Sequence, residues 1–530
     1  MRIPLRSLVS TALASAAIFA LATLAWAETC SLELKRLDSS SSANSDEAYH
    51  AANAQSIFVQ LGKDDEPLAD QGPVAAFKRI VKKEPKYLSA HPFRAVLKLG
   101  SKEYAFALDV VPPPAKDAKS DDKKAKSDDK KTKEKGKTKA AKAASASTTF
   151  NRLYFDLNHN GDLSDDKPVD AEMVQGARRW GGFFQFPRVD VVLDEAGTKL
   201  DYSFFLAGQQ IGGSRDFHYV MLSMNPGVYR EGHITLEGKK RHVVLIDYNS
   251  NGRFNDEMGV PKDVSVSSGP VPVEQGDMLL IDPKAGVSND ANDSMHYVSK
   301  LANIDGRFYE VKISPSGDQL TLTASALPLG YVKNPNAKYR ATIYGDQGFV
   351  DIRSEKGEPV AVPEGQWKLL SYNLDATVVK EPKKGEKKAD EKNSAEKEEK
   401  KDEKGAEKGS MLKSLAEGLN SLLGGSSEGD SGVPQSTVSA QATGSYKAVK
   451  VVKGETVALP FGPPYKPVVT ADAFEDGEKH EVLSLRLTLV GSAGETCDDM
   501  TVKGGRPSKP KFTITDAKGK VVEEGRFEYG

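Results

Sequence analysis

Cysteine is nearly absent from this chain: Cys30 and Cys497 are the only two in 530 residues, too few for a disulfide framework. The sequence leaves open whether these two pair across the chain or stay as separate thiols. A bridge closing so long a loop would contribute up to about 5 kcal/mol. Histidine is scarce too, with eight in all, and none falls in a His-Glu-x-x-His or a His/Cys cluster at zinc spacing. His159 and His218 stand alone. There is no Gly-x-Ser-x-Gly elbow, no P-loop and no dinucleotide fingerprint. These absences remove the enzyme classes that short motifs announce. A hydrolase with dispersed carboxylates is the one enzymatic alternative left, because facing carboxylates leave no local signature. Neither sign of charge dominates, with 73 basic against 75 acidic residues. Near neutrality at this length argues against a nucleic-acid partner. Long apolar runs are missing beyond the first 27 residues, so no second segment is expected to span a membrane.

That first run, MRIPLRSLVSTALASAAIFALATLAWA, has Arg2 and Arg6 at its start, an Ala/Leu-rich centre and Ala25-Trp26-Ala27 at its end. The pattern predicts a cleavable secretory signal over 1–27 and a protein that is secreted or held in the periplasm or cell envelope. Removing Arg2 and Arg6 takes the basic count from 73 to 71 against 75 acids, a net charge of −4. Cys30 follows Ala27-Glu28-Thr29, which lacks the small residue that a lipoprotein signal places directly before its cysteine.

Two tracts have no large apolar residues to bury. Residues 115–147 carry 12 Lys and 6 acids and repeat KSDDKK at 119–124 and 126–131, and residues 380–409 carry 11 Lys and 10 acids. Ordering entropy with nothing to offset it predicts disorder for both, as charged spacers. Within the longer disordered region, 380–445, the stretch 411–423 places Met411, Leu412, Leu415, Leu419, Leu422 and Leu423 at helical spacing. It predicts one short amphipathic helix. Ser410 and Lys413 match a Ser-x-x-Lys dyad, but a mobile tract cannot hold a nucleophile in place.

The remainder alternates in the manner of strands, for example RVDVVLD (188–194), RHVVLID (241–247) and VLSLRLTLVG (482–491), with Gly, Pro, Asn and Asp between. The expected fold is mostly β, with several β-sandwich or immunoglobulin-like modules joined by disordered charged linkers. The expected units are an N-terminal β-unit at 28–114, a duplicated β-region at 148–329, a sandwich-like module at 330–379 and a C-terminal module at 446–530. AVPEGQWKLLSYNL (361–374) is similar to the turn-then-strand stretch of carboxypeptidase-regulatory-like sandwiches, with Trp367 in the aromatic place. FTITDAKGKVVEEGRFEYG (512–530) has the same character. The resemblance implies a sandwich and carries no activity with it.

Duplication shows in RLYFDLNHNGDLSDD (152–166) and VVLIDYNSNGRFNDE (243–257), which align without gaps. Their shared form, Asp-x-Asn-x-Asn-Gly-x-apolar-polar-Asp-acid, resembles the calcium loops of EF-hands and dockerin modules. A hard cation takes six to eight oxygens, supplied by alternate side chains at loop positions 1, 3 and 5 and by the carbonyl of position 7, with glycine at position 6 for the turn. The resemblance implies one site from Asp156, Asn158, Asn160, Asp162 and Asp166, and another from Asp247, Asn249, Asn251, Arg253 (through its carbonyl) and Glu257. Leu163 and Phe254 at position 8 would pin each loop to a core. Position 12, an acid in EF-hands, is Lys167 or Met258 here, so closure falls to the acids at positions 10 and 11. Asparagine at positions 3 and 5 lowers the ligand charge and sets affinity at about 0.1–1 mM. A competing reading treats Asn160-Gly161 and Asn251-Gly252 as type I′ hairpin turns.

The expected function is that of an exported, non-enzymatic structural or binding protein with calcium as its cofactor and an envelope polysaccharide or another envelope protein as its partner. The alternative is a carbohydrate-binding envelope protein using Trp180 with Phe183, Phe184 and Phe186.

Overall fold

The structure is a computed structural model that describes residues 26–38, 54–61, 72–112, 149–178, 181–195, 197–212, 218–261, 269–283, 294–377, 436–475 and 481–529. Residues 1–25, both charged tracts, the 411–423 segment and Trp180 lie outside the described residues. The described fold is mostly β in several antiparallel sheets, with one α-helix, Gly72–Ile80.

Strand chemistry explains which faces are buried. In Val189–Glu195 the alternate residues Val189, Val191 and Leu193 are buried while Asp190, Val192 and Asp194 face water. Lys102–Asp109 carries apolar residues on both faces and is buried on both. Tyr104, Phe106 and Leu108 enter the main core, and Ala105 and Ala107 pack under Phe77 of the helix. Each fully buried Leu or Phe contributes about 1.5–3 kcal/mol.

One continuous core draws on residues from Leu32 to Leu322. The N-terminal unit and the duplicated region expected from the sequence thus share a single interior. The strand Ala27–Arg36 ties it together. Its first half pairs with Gln319–Ala324 and its second half with Val228–Leu236, so one strand joins the two halves of an eight-stranded sheet. A six-stranded sheet that includes Gln55–Leu61, His218–Pro226 and Thr198–Gly212, and a four-stranded sheet from Phe93–Leu99 to Val169–Asp170, complete this body.

A second core is built around Gly365–Asp375, which pairs with Tyr339–Gly345 and with Thr437–Gln441. Trp367 is fully buried here and its indole donates to the Pro363 carbonyl at 2.8 Å. Residues of the expected 330–379 and 446–530 modules meet in this one core. Beyond it, the hairpin of Lys466–Glu475 and Glu481–Val490 and the pair Lys511–Thr515 and Val521–Arg526 are largely exposed.

The described residues that flank each charged tract lie side by side. Asn151 exchanges 2.7 Å hydrogen bonds with both backbone groups of Val111, and Ser436 donates its N–H to the Thr377 hydroxyl at 2.9 Å. Each tract therefore leaves and re-enters one antiparallel strand pair, Lys102–Asp109 with Arg152–Phe155 in the first case and Gly365–Asp375 with Thr437–Gln441 in the second. Composition reveals a tract that cannot fold but carries no information on how far apart its ends lie. Cys30 and Cys497 are free thiols in different sheets, and burial pushes each up to about 11.

Candidate functional site

Both calcium-loop candidates follow strands buried on two faces. Before the first loop, Leu153 and Phe155 point into the main core and Tyr154 into the cluster beneath the helix. Before the second, Val243 and Leu245 enter the main core while Val244 and Ile246 pack with Met278 and Leu280. Position 8 is buried in each, as Leu163 and Phe254, so both loops are pinned at either end.

The two loops share one backbone. Position 4 is left-handed in both, His159 at φ 55° and Ser250 at φ 57°, and so is the glycine at position 6, Gly161 at 81° and Gly252 at 86°. A type I′ turn puts two consecutive residues at positive φ. Here the left-handed residues alternate around Asn160 and Asn251, so the plain hairpin-turn reading does not describe the fold.

Hydrogen bonds repeat with the backbone. Asp156 accepts from the N–H of Asn160 at 3.0 Å and of Gly161 at 2.9 Å, and Asp247 accepts from Asn251 at 3.0 Å and Gly252 at 2.7 Å. The position-5 amide oxygen accepts from the position-7 N–H, at 2.6 Å in the first loop and 2.9 Å in the second. Its nitrogen donates to the position-10 acid, Asn160 to Asp165 at 2.8 Å and Asn251 to Asp256 at 2.6 Å.

At the position-2 N–H the loops diverge. In the first, Asp166 accepts from Leu157 at 3.1 Å. In the second, Glu257 is exposed, and the Tyr248 N–H goes instead to Asp277 at 3.1 Å. Asp277 precedes the strand Met278–Ile281 and also accepts from the Asp256 N–H at 2.8 Å. It takes the place that Asp166 holds in the first loop. Asp277 carries no motif of its own: it lies outside the repeat and is brought in by the pairing of Lys239–Ile246 with Met278–Ile281. Asp165 and Asp256 were visible at position 10 as acids available for closure.

Charge separates the loops further. Asp247 and Asp277 are fully buried. Burial pushes the Asp247 carboxyl up to about 7, against hydrogen bonds from Tyr202 (2.7 Å), Gly252 and Asn251 that favour the charged form, with Asp256 adding repulsion. Burial raises Asp277 well above the usual carboxylate range, and the neighbouring Asp247 raises it further. Two oxygens of this loop, Asn249 Oδ1 at position 3 and Asn255 Oδ1 at position 9, are buried without a hydrogen-bond partner, as is Arg253 Nε.

The first loop is more self-contained. Lys83 pairs with Asp162 at 3.0 Å, and Lys82 donates to the Asn160 carbonyl at 2.8 Å. The Asn158 oxygen accepts from the Asn160 N–H at 3.0 Å. Hydrogen bonds from Ser164 and then Lys83 hold Asp162 down at about 2, whereas burial raises Asp166 to about 6. The His159 ring lies edge-on to Tyr104 at 4.8 Å and bonds the Glu103 carbonyl, a packing role.

Among the described residues, no three His, Cys, Asp or Glu side chains are already gathered as a metal shell. The donors of the second loop nevertheless fit a hard cation in kind: carboxylates that repel one another and amide oxygens that lack a donor. Of the aromatic cluster around Trp180, Phe184 and Phe186 are core residues, and Phe183 points to the opposite face. No family model matches the chain, and no curated protein or solved structure shows significant similarity to it.

Proposed function

We propose that this is an exported, non-enzymatic structural or binding protein whose main β-body is stiffened by calcium at the two Asp-x-Asn-x-Asn-Gly loops. The observation that carries the reading is the pair of orphaned buried oxygens at positions 3 and 9 of the second loop. An unsatisfied buried acceptor costs about 1–3 kcal/mol, and a bound cation would remove that cost. Positions 3 and 9 are also where a loop of this type contributes a direct ligand and a water-bridged one. Asp247, Asn249, Asn251, the Arg253 carbonyl, Asp256 and Asp277 would hold the ion there. Asp156, Asn158, Asn160, Asp162 and Asp166 would hold it in the first loop, in competition with Lys82 and Lys83. Calcium would supply positive charge to buried carboxylates and tie two separate chain segments together at the second loop, residues 247–256 and Asp277. The Ala/Leu-rich leader supports export, and an oxidising exterior with millimolar calcium suits weak loops.

Thermal unfolding in millimolar calcium and then in chelator tests this. A ligand that binds only the folded state raises the midpoint. Asp247→Ala should remove most of the calcium-dependent rise and Asp156→Ala a smaller part. An unchanged midpoint in the unsubstituted protein would sink the proposal.

A further inference from the structure

The hairpin of Val228–Leu236 and Lys239–Ile246 turns through two residues, Glu237 at φ 50° and Gly238 at φ 77°. Two consecutive left-handed residues make a type I′ turn, whose twist matches that of paired strands and fixes the hairpin register. That register sets His233 directly opposite His242. Backbone groups show which kind of pair this is. The His242 N–H donates to Asp282 Oδ1 at 2.7 Å, and the His242 carbonyl accepts from the Asp282 N–H at 2.8 Å. Both groups thus point away from His233, toward the side of Met278–Ile281. The two histidines form a non-hydrogen-bonded pair, the kind in which opposing side chains stand closest, with Cα atoms about 4.5 Å apart. Their rings lie 5.4 Å apart and are tilted by 33°.

Glu231 stands two residues before His233 on the same strand, and so on the same face. Its Oε1 lies 2.8 Å from His242 Nε2, and the His242 and Glu231 side chains are 27 % and 26 % exposed. Glu33 of the neighbouring strand is the cross-strand partner of Glu231, and it is paired with Lys35 at 2.6 Å. Lys240 lies opposite Thr235, nearer the turn. On the other face of the hairpin Ile234 and Val243 are buried in the main core, which holds the backbone beneath the two histidines.

We infer that His233, His242 and Glu231 bind a divalent transition-metal ion of the zinc class. Imidazole nitrogens and a carboxylate are ligands that suit such an ion. Metal–ligand bonds of about 2.0–2.2 Å put two neighbouring ligand atoms about 3 Å apart. Glu231 Oε1 and His242 Nε2 are already near that separation, so the ion takes the place of the proton between them. The third donor, His233, is exposed, and turning its side chain brings a ring nitrogen to the same point. Exposed side chains make such rotations within nanoseconds. Three protein ligands leave the fourth tetrahedral position to water. Calcium, which takes six to eight oxygens, finds only one oxygen-bearing side chain among the three. His242 sits five residues before Asp247, about 17 Å along an extended strand, so this site is distinct from the calcium loop.

Calorimetric titration of the full chain with zinc chloride in millimolar calcium tests the inference, with His233→Ala, His242→Ala, Glu231→Gln and Asp247→Ala alongside. The expected result is one zinc ion per chain, held about tenfold or more weakly by each of the first three variants and equally well by Asp247→Ala. Copper(II) in place of zinc should show splitting from two nitrogens in its electron paramagnetic resonance spectrum, and from one in either histidine variant. Should His242→Ala fail to fold, the exposed His233→Ala serves in its place. Zinc affinity that is unchanged by Asp247→Ala separates this site from the calcium reading. The inference is overturned by no zinc binding, by binding that none of the first three variants weakens, or by binding that Asp247→Ala abolishes, which would place the metal in the loop.

Discussion

Asp247 is the residue at which chemistry and stability meet most directly. Burial beside Asp277 pushes its carboxyl up from the ordinary 3.8 to about 7 in the folded chain. Without metal, the stability associated with this group is fully present below the lower value and is lost as pH rises through the higher one. Asp247→Asn cannot titrate. In chelator, the midpoint advantage of the unsubstituted protein over this variant should therefore shrink from about pH 4 to about pH 7. Calcium should reverse the trend, because the ion replaces the proton. A pH-independent difference in both media would refute the assignment. Asp277→Ala leaves the Tyr248 and Asp256 N–H groups without their acceptor. It should cost about 1–3 kcal/mol in denaturant unfolding and remove the second loop's calcium response. Gly252 offers a purely steric comparison. An added Cβ at φ 86° would meet Leu193 Cδ1 at 2.6 Å, whereas at Gly238, φ 77°, it would meet nothing within 4 Å. Gly238→Ala should cost about 1–2 kcal/mol for the left-handed backbone alone, and Gly252→Ala should cost more. Equal midpoints in urea would show that the Leu193 contact gives way freely.

At the scale of elements, the two-faced strands explain why the loops are held. The loop-proximal ends of these strands, residues 153–155 and 243–246, are apolar on both sides, so neither can shift register without exposing a core face. The charged tracts behave differently. Because Val111 and Asn151 are directly bonded, replacing 114–147 with a short Gly/Ser turn keeps the hairpin ends where they are. The excision should leave the thermal midpoint within about 2 °C, since loop length enters closure entropy only logarithmically. A large loss of stability would mean that the tract contributes packing of its own.

For the molecule as described, the two largest hydrophobic cores each draw on distant parts of the sequence. One spans Leu32 to Leu322 and the other unites residues on either side of the second charged tract. The strand Ala27–Arg36 completes the larger body. A secretory leader would thus be followed at once by a strand that the fold requires, and removal of the leader at Ala27 would leave most of that strand intact.

The sequence alone determined the β class, because alternation in stretches such as 188–194 fixes which side chains can be buried together. It also determined the repeated loop, since Asp, Asn, Asn and Gly at positions 1, 3, 5 and 6 dictate a local backbone that forms the same way twice. Tertiary structure decided everything that rests on distant partners. Asp277 reaches the second loop through strand pairing and carries no motif. Lys82 and Lys83 reach the first loop from the segment after the helix. Local pattern encodes local geometry, while register between remote strands is set by the energy of the assembled core.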